Sequence, residues 1–316
     1  MAKWGIVATI KADTATILRF VAYHLDLGAH RIYVYLDAPN PEAQEALRDH
    51  PKTRVIRCDD GYWERHNGNR PDMHQPRQTF NATRAYNRAS DVEWLMHMDV
   101  DEFLVPNGDI SARLAALPPE TQCARARPME LLAGGDPQVE AAFKTFIPAG
   151  GRRERIVAKL YPTYGDHLKG GFLSHIAGKI FVRTGIEDLK FRIHNAFLNG
   201  ETNPNHVELT ELHLAHFHAT DWDTWFSHYQ YRFSEGSYRA GLGPARSRER
   251  GGITIHELFT HIFEEDGQAG LRAFFDEVCA DSPALRTRLE EQGHLLCTRF
   301  PFDTTLAKHF PNFANI

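Results

Sequence analysis

The first hundred residues alternate short β-rich apolar runs with helical patterns, and this alternation narrows the fold more than any other feature of the chain. Gly5 to Ile10 (GIVATI) is an apolar run followed by the polar turn Lys11-Ala12-Asp13. Ile17, Leu18, Val21, Ala22 and Leu25 then recur at helical spacing, with Asp13 or Thr14 placed to cap the helix and Gly28 just past its last turn. Arg31 to Leu36 (RIYVYL) reads as a second strand, Pro41 opens a helix through Leu47, and Thr53 to Cys58 reads as a third strand. Gly61 to Gln75 reads as a long polar loop. A helix from about Arg77 to Arg88 and a strand from Val92 to Met98 complete the series. Strands separated by helices of this length imply right-handed crossovers and an α/β fold, a mostly parallel sheet flanked by helices. Ligands of such sheets sit beyond the carboxyl ends of the strands. Here each strand ends at an acid: Asp13, Asp37, Asp60 and Asp99.

Downstream, Gln122 to Met129 and Gly178 to Arg183 read as strands, with loops around short strands from Gly134 to Gly171. Val207 to Phe217 alternates with period two, so His213 and His216 fall on opposite faces of a regular strand. Asp221 opens an aromatic helix through Tyr238, and several of its Trp222, Trp225, Phe226, Tyr229, Tyr231 and Phe233 belong to a core by their spacing. From Thr254 on the pattern is helical. The expected organisation is a main domain over 1–220 carrying the site, with a helical C-terminal region over 221–316 packed on it.

A formal net charge of -5 argues against a general nucleic-acid binder, which is usually basic. Cys58, Cys123, Cys279 and Cys297 form no CxxC pair, so reduced thiols of a cytoplasmic protein are expected rather than a zinc knuckle or a disulfide framework. The N-terminus reaches Lys11 too soon for a signal peptide, and no stretch approaches the roughly 20 apolar residues of a membrane span. What the sequence leaves open is a peripheral contact at the inner face of the membrane.

The string WLMHMDVDEFL puts Asp99, Asp101 and Glu102 directly after an apolar strand. In an extended chain, side chains two residues apart share a face about 6–7 Å apart, so Asp99 and Asp101 are expected to converge. Two carboxylates held that close repel unless a cation lies between them. Mg²⁺ or Mn²⁺ suits such oxygens together with water and substrate phosphates. Glu102 is expected to orient the loop through backbone hydrogen bonds.

With DVDEF after an apolar strand, the chain resembles GT-A fold glycosyltransferases, in particular family 2-like and family 92-like bacterial enzymes. Lys11-Ala12-Asp13, His24, Leu27-Gly28, Tyr33 to Asp37 and Gln78 match further pieces of that pattern, which covers residues 5 to 105. Gly178-Lys179 with Arg183, and His216-Phe217, are weaker matches. The chain departs from the pattern at Asp13, at Arg19-Phe20 and in the loop Asp37-Ala38-Pro39-Asn40.

The resemblance implies a GT-A-like, Rossmann-like core and transfer of a sugar from a nucleotide sugar, a UDP-sugar in the first place, to a glycan or glycolipid acceptor with inversion. It places Asp99 near the ribose and metal, Asp101 as the direct ligand of Mn²⁺ or Mg²⁺, and His216 as a further ligand, with His213 and His218 as alternatives. Lys11, Asp13, Asp37 and Gln78 are candidates for the nucleoside, and Lys179 and Arg183 for the diphosphate. Inversion requires a carboxylate base, for which Glu130 and Asp166 are candidates beside Asp101. A sugar-phosphate nucleotidyltransferase and a non-catalytic nucleotide-sugar-binding scaffold are the competing readings. Only Gly5 stands where the former carries a glycine-rich phosphate loop.

Overall fold

The computed structural model describes residues 1–314. In chain order its first elements are β1 (Trp4–Ile10), α1 (Thr14–Asp26), β2 (Arg31–Leu36), α2 (Pro41–Asp49), β3 (Thr53–Arg57), α3 (Asp60–Asn67) and α4 (His74–Tyr86). β4 (Trp94–His97), β5 (Glu102–Pro106), α5 (Ile110–Ala115), β6 (Cys123–Leu131), β7 (Ala141–Thr145) and α6 (Arg153–Leu160) follow. Next come β8 (Lys179–Arg183), β9 (Lys190–Phe191), β10 (Ala196–Leu198), β11 (Glu201–Thr202) and β12 (His206–His216). The chain closes with α7 (Trp222–Ser234), α8 (Ile255–Val278), α9 (Pro283–Glu291), β13 (Leu295–Thr298) and α10 (Phe302–His309).

The cap expected at Asp13 is made, and Asn40 supplies a second, unexpected one. Asp13 accepts from Thr16 N at 2.7 Å, and Asn40 accepts from Ala43 N ahead of Pro41. Each such cap stabilises its helix by about 1 kcal/mol. The expected loop from Gly61 to Gln75 is instead half helix. Asp59 caps α3 through Tyr62 N, and Trp63 is fully buried, so apolar burial overrides the polar composition.

The contacts divide the chain into two compact units, and neither is contiguous. The first comprises Met1–Arg127, Ala177–Leu214 and the C-terminal stretch from Pro301; the second comprises Pro128–Ile176 and Ala215–Phe300. Two of the four boundaries fall within β6 and β12, and the others at 176/177 and 300/301.

In the first unit β3, β2, β1 and β4 lie side by side in parallel, with Gly5 opposite Arg31 and Trp4 opposite Trp94. β8 then pairs antiparallel with β4, and the start of β6 with β8, so the sheet is mixed where a mostly parallel one was expected. Val7, Tyr35, Trp63, Ala82, Leu95 and Val182 contribute to the core on the α3–α4 face. α10 returns to this unit, where Phe302 packs against Tyr23 and Phe103.

In the second unit the end of β6 pairs with β7, and β7 with β13, all antiparallel. β13 departs from the all-helical expectation for the C-terminal region. Gly293, at φ 71°, turns the chain out of α9 into an edge strand. Trp225 and Tyr229 of the aromatic helix lie in this unit's core with Phe259 and Phe275. Among the described residues no helix is long and apolar enough to cross a membrane.

Candidate active site

The strand order β3-β2-β1-β4 means that the chain leaves β1 toward one edge and later returns to its other side. The carboxyl ends of β1 and β4 therefore flank a switch point, the place where open α/β sheets bind ligands. Three connections draw the loops there together. Asp37 N donates to Ile10 O at 2.8 Å, Asn40 Nδ2 donates to Ala12 O, and Thr14 Oγ1 donates to Asn40 Oδ1.

The acidic string is a turn. Glu102 N donates to Asp99 O at 3.1 Å, which closes Asp99-Val100-Asp101-Glu102. The extended-chain argument for Asp99 and Asp101 sharing a face therefore does not apply, because residues 100 and 101 bend the chain. Glu102 is almost fully buried and accepts from Asp99 N at 2.8 Å, orienting the turn as expected. Asp101 sits half-buried in the turn.

Asp99 is held from two sides. Gln78 Nε2, from α4, donates to Oδ1 at 2.5 Å, and Lys179 Nζ, from β8, donates to Oδ2 at 2.6 Å. Lys179 also lies 3.2 Å from Glu102 Oε2. Its side chain has no exposed surface, whereas that of Asp99 is 32% exposed. Partial burial works against the charge on Asp99, but Lys179 outweighs it and holds the carboxyl well below the usual carboxylate range. For Lys179 burial favours the neutral amine, and Asp99 with Glu102 reverse that, so it stays an ammonium. Lys179 thus serves two of the turn's three carboxylates, those of Asp99 and Glu102.

The backbone that delivers Lys179 admits only glycine. Gly178 has φ +67°, and a Cβ there would stand 2.1 Å from Ala126 O. His194 Nδ1 lies 3.0 Å from Gly178 O, beside the same turn. His97, the last residue of β4, is fully buried with no partner for either ring nitrogen among the described residues. Burial first and Lys179 second push its pKa down to about 3, so the ring is neutral.

The remaining candidates of this unit separate clearly. Lys11 is exposed at the end of β1, and the Asp13 carboxylate serves as the cap of α1. Asp37, buried at the end of β2, is clamped by Arg77 at 2.9 Å and Arg70 at 3.0 Å. Arg183 is not brought to the turn: it pairs with Trp94, five residues before Asp99, which at strand rise is roughly 16 Å away. Its guanidinium lies 4.4 Å over the Trp94 ring and donates to Thr121 O.

In the second unit Glu130 is buried beside Lys144 at 2.8 Å and accepts from Leu173 N and Ser174 N. Burial raises its carboxyl and Lys144 lowers it further, to about 2. Lone pairs spent in this way suit an anchor better than a base. Asp166 forms a two-pronged pair with Arg246. His216 lies in this unit with its ring 5.3 Å from that of His218, and His218 is committed to Tyr238 Oη at 2.8 Å. His213 belongs to the first unit, half-buried.

Sequence reasoning missed Arg70, Arg77, His97 and His194. Arg77 adjoins Gln78 in sequence, and His97 lies within the strand that ends at Asp99. Nothing local marked Arg70 or His194.

A divalent cation fits the turn by its donor chemistry, since hard carboxylate oxygens suit Mg²⁺ or Mn²⁺. Such ions usually take one or two carboxylates plus substrate phosphates. Among the described residues no group of three His, Cys, Asp or Glu is arranged to hold a metal ion.

Residues 7–128 match the family model described as Glycosyltransferase family 92. No curated protein matches the chain. Among solved structures, HddC from Yersinia pseudotuberculosis is 12% identical, covering 68% of this chain and 93% of that one at a TM-score of 0.35. The glycosyltransferase GlyE in Streptococcus pneumoniae TIGR4 is 18% identical over 40% of this chain and 30% of that one, TM-score 0.25. GalNAc-T7, solved with UDP, GalNAc and Mn²⁺, is 13% identical over 100% of this chain and 58% of that one, TM-score 0.39.

Proposed function

We propose that this chain, a glycosyltransferase of GT-A-like fold whose residues 7–128 match family 92, moves a sugar from a UDP-sugar to a glycan or glycolipid acceptor with inversion, assisted by Mn²⁺ or Mg²⁺. The observation that carries the reading is the turn Asp99–Glu102, with its three carboxylates, beyond β4 at the switch point of the sheet.

A divalent cation bound at this turn would supply positive charge against the departing diphosphate. Asp101 is its direct ligand in this reading. Asp99, fixed by Gln78 and Lys179, keeps one lone pair on each oxygen for the ribose and the cation's water shell. Lys179 sets the charge balance of the turn, and Glu102 holds its backbone. Lys11 and the Asp13 and Asp37 loops form the wall on the nucleoside side. Inversion also needs a carboxylate base for the acceptor's proton, and the candidates Glu130 and Asp166 are each ion-paired, to Lys144 and Arg246, which makes them weak bases.

A UDP-release assay across common UDP-sugars with Mn²⁺ tests the proposal. Release with at least one donor, abolished in EDTA, is expected. UDP binding without release from any donor supports the scaffold reading instead.

A further inference from the structure

On the α3–α4 face of the first unit, at the β2–β3 edge, lies a groove of about 530 Å³. Arg48, Arg54, Arg57, Arg65, Arg84 and Arg88 line it, and no carboxylate and no lysine do. The register explains the convergence. Tyr33 pairs with Arg54 and Tyr35 with Ile56, so these side chains share the face on which Arg65 of α3 and Arg84 of α4 also lie.

In a chain of net charge -5 such a cluster invites neutralisation by neighbouring acids, and most of it lacks that. Arg48 and Arg57 each reach one aspartate at the rim, Asp49 at 3.4 Å and Asp59 at 3.3 Å, both pairs exposed and weak. Arg54 donates only to the carbonyls of Thr53 and Pro51. Arg84 lies 3.0 Å from His66 Nε2 and 5.8 Å over the Tyr62 ring. Arg54, Arg65, Arg84 and Arg88 have no carboxylate partner among the described residues. His66 carries the consequence: partial burial, then Arg84, Arg65 and Arg88, push its pKa down, so it accepts rather than adds charge.

We propose that this groove is a second, metal-independent binding site for a compact oligophosphate, such as the phosphate chain of a free nucleotide. Planar guanidinium forks match phosphate oxygens two at a time, and an all-arginine set favours that geometry over point-charge attraction. The volume suits a small ligand rather than a polymer. The site is separate from the acidic turn, because Arg84 follows Gln78 by six residues, about 9 Å further along α4. It does not depend on the proposed transfer reaction.

Calorimetry of the full chain with inorganic triphosphate in EDTA tests it, since chelation silences a cation-dependent site at Asp99. One site is expected, weakened at least tenfold in Arg54→Gln/Arg88→Gln and less than twofold in Asp99→Asn. Both arginines are exposed, so the double variant folds, and an unchanged circular dichroism spectrum checks this. Arg54→Lys/Arg88→Lys keeps the charge and is expected to fall between wild type and the glutamine pair. No binding by wild type, or equal binding by the glutamine variant, overturns the proposal. So does retention on phosphatidylglycerol vesicles that triphosphate fails to displace, which assigns the groove to a lipid surface.

Discussion

Lys179 Nζ lies 2.6 Å from Asp99 Oδ2 and 3.2 Å from Glu102 Oε2, a buried ammonium shared by two acids of one turn. Removing one member of a buried ion pair strands the others and costs roughly 3–5 kcal/mol. Lys179→Met is therefore expected to destabilise the protein on that scale, read as a lower urea midpoint at unchanged m-value. Asp99 is 32% exposed, so water can reach it and the loss belongs at the low end. A midpoint unchanged from wild type would show that the pair contributes nothing to folding.

Glu102 touches no proposed substrate position, yet it fixes the turn through Asp99 N at 2.8 Å. Supporting groups of this kind typically carry 10–100-fold in metal affinity or activity. Glu102→Gln is expected to lower kcat/KM by that range and to raise the Mn²⁺ concentration needed for half-activity, while donor specificity stays the same.

His24 links α1 to β5. Leu104 N donates to its Nε2 at 3.3 Å, so Nδ1 carries the proton and donates to Phe20 O at 2.8 Å. Burial pushes its pKa down to about 3, from 6.5 in an exposed ring. As pH falls below 6.5 the unfolded chain takes up a proton that the folded one refuses, so stability is full above 6.5 and is lost on the way down to about 3. Between pH 6.5 and 5 the loss amounts to about 2 kcal/mol for this group. His24→Leu is expected to be less stable at pH 7.5 but to show a flatter pH dependence in denaturation midpoints.

Asp37 is buried between two guanidiniums, and Asp37→Asn leaves both facing a neutral amide. A loss of about 1–3 kcal/mol is expected. A double-mutant cycle with Arg77→Ala is expected to show coupling, whereas strict additivity would rule out the clamp.

The fold of the first hundred residues was legible because local signals and burial agree there. Asp13 is a cap, Pro41 opens α2, Gly28 ends α1, and the apolar runs are the parallel strands. The switch from parallel to antiparallel at β8 was not, since strand direction depends on partners distant in sequence. Neither was the return of α10 to α1, which rests on Phe302 meeting Tyr23 and Phe103. Within the site, Gln78, Asp99 and Lys179 are 21 and 80 residues apart, and matching pieces of a family pattern pointed to all three. The arginines on Asp37 had no such signal, because a salt bridge to a loop leaves no periodicity. Arg183 looked equivalent to Lys179 until the register put them at opposite ends of β8.

Calorimetry of UDP binding with and without Mn²⁺, in wild type and Asp101→Asn, tests the central claim most directly. The account predicts at least tenfold tighter binding with Mn²⁺ in wild type and loss of that gain in the variant. Equal affinity with and without the ion in wild type, or an Mn²⁺ gain that survives in Asp101→Asn, would contradict it.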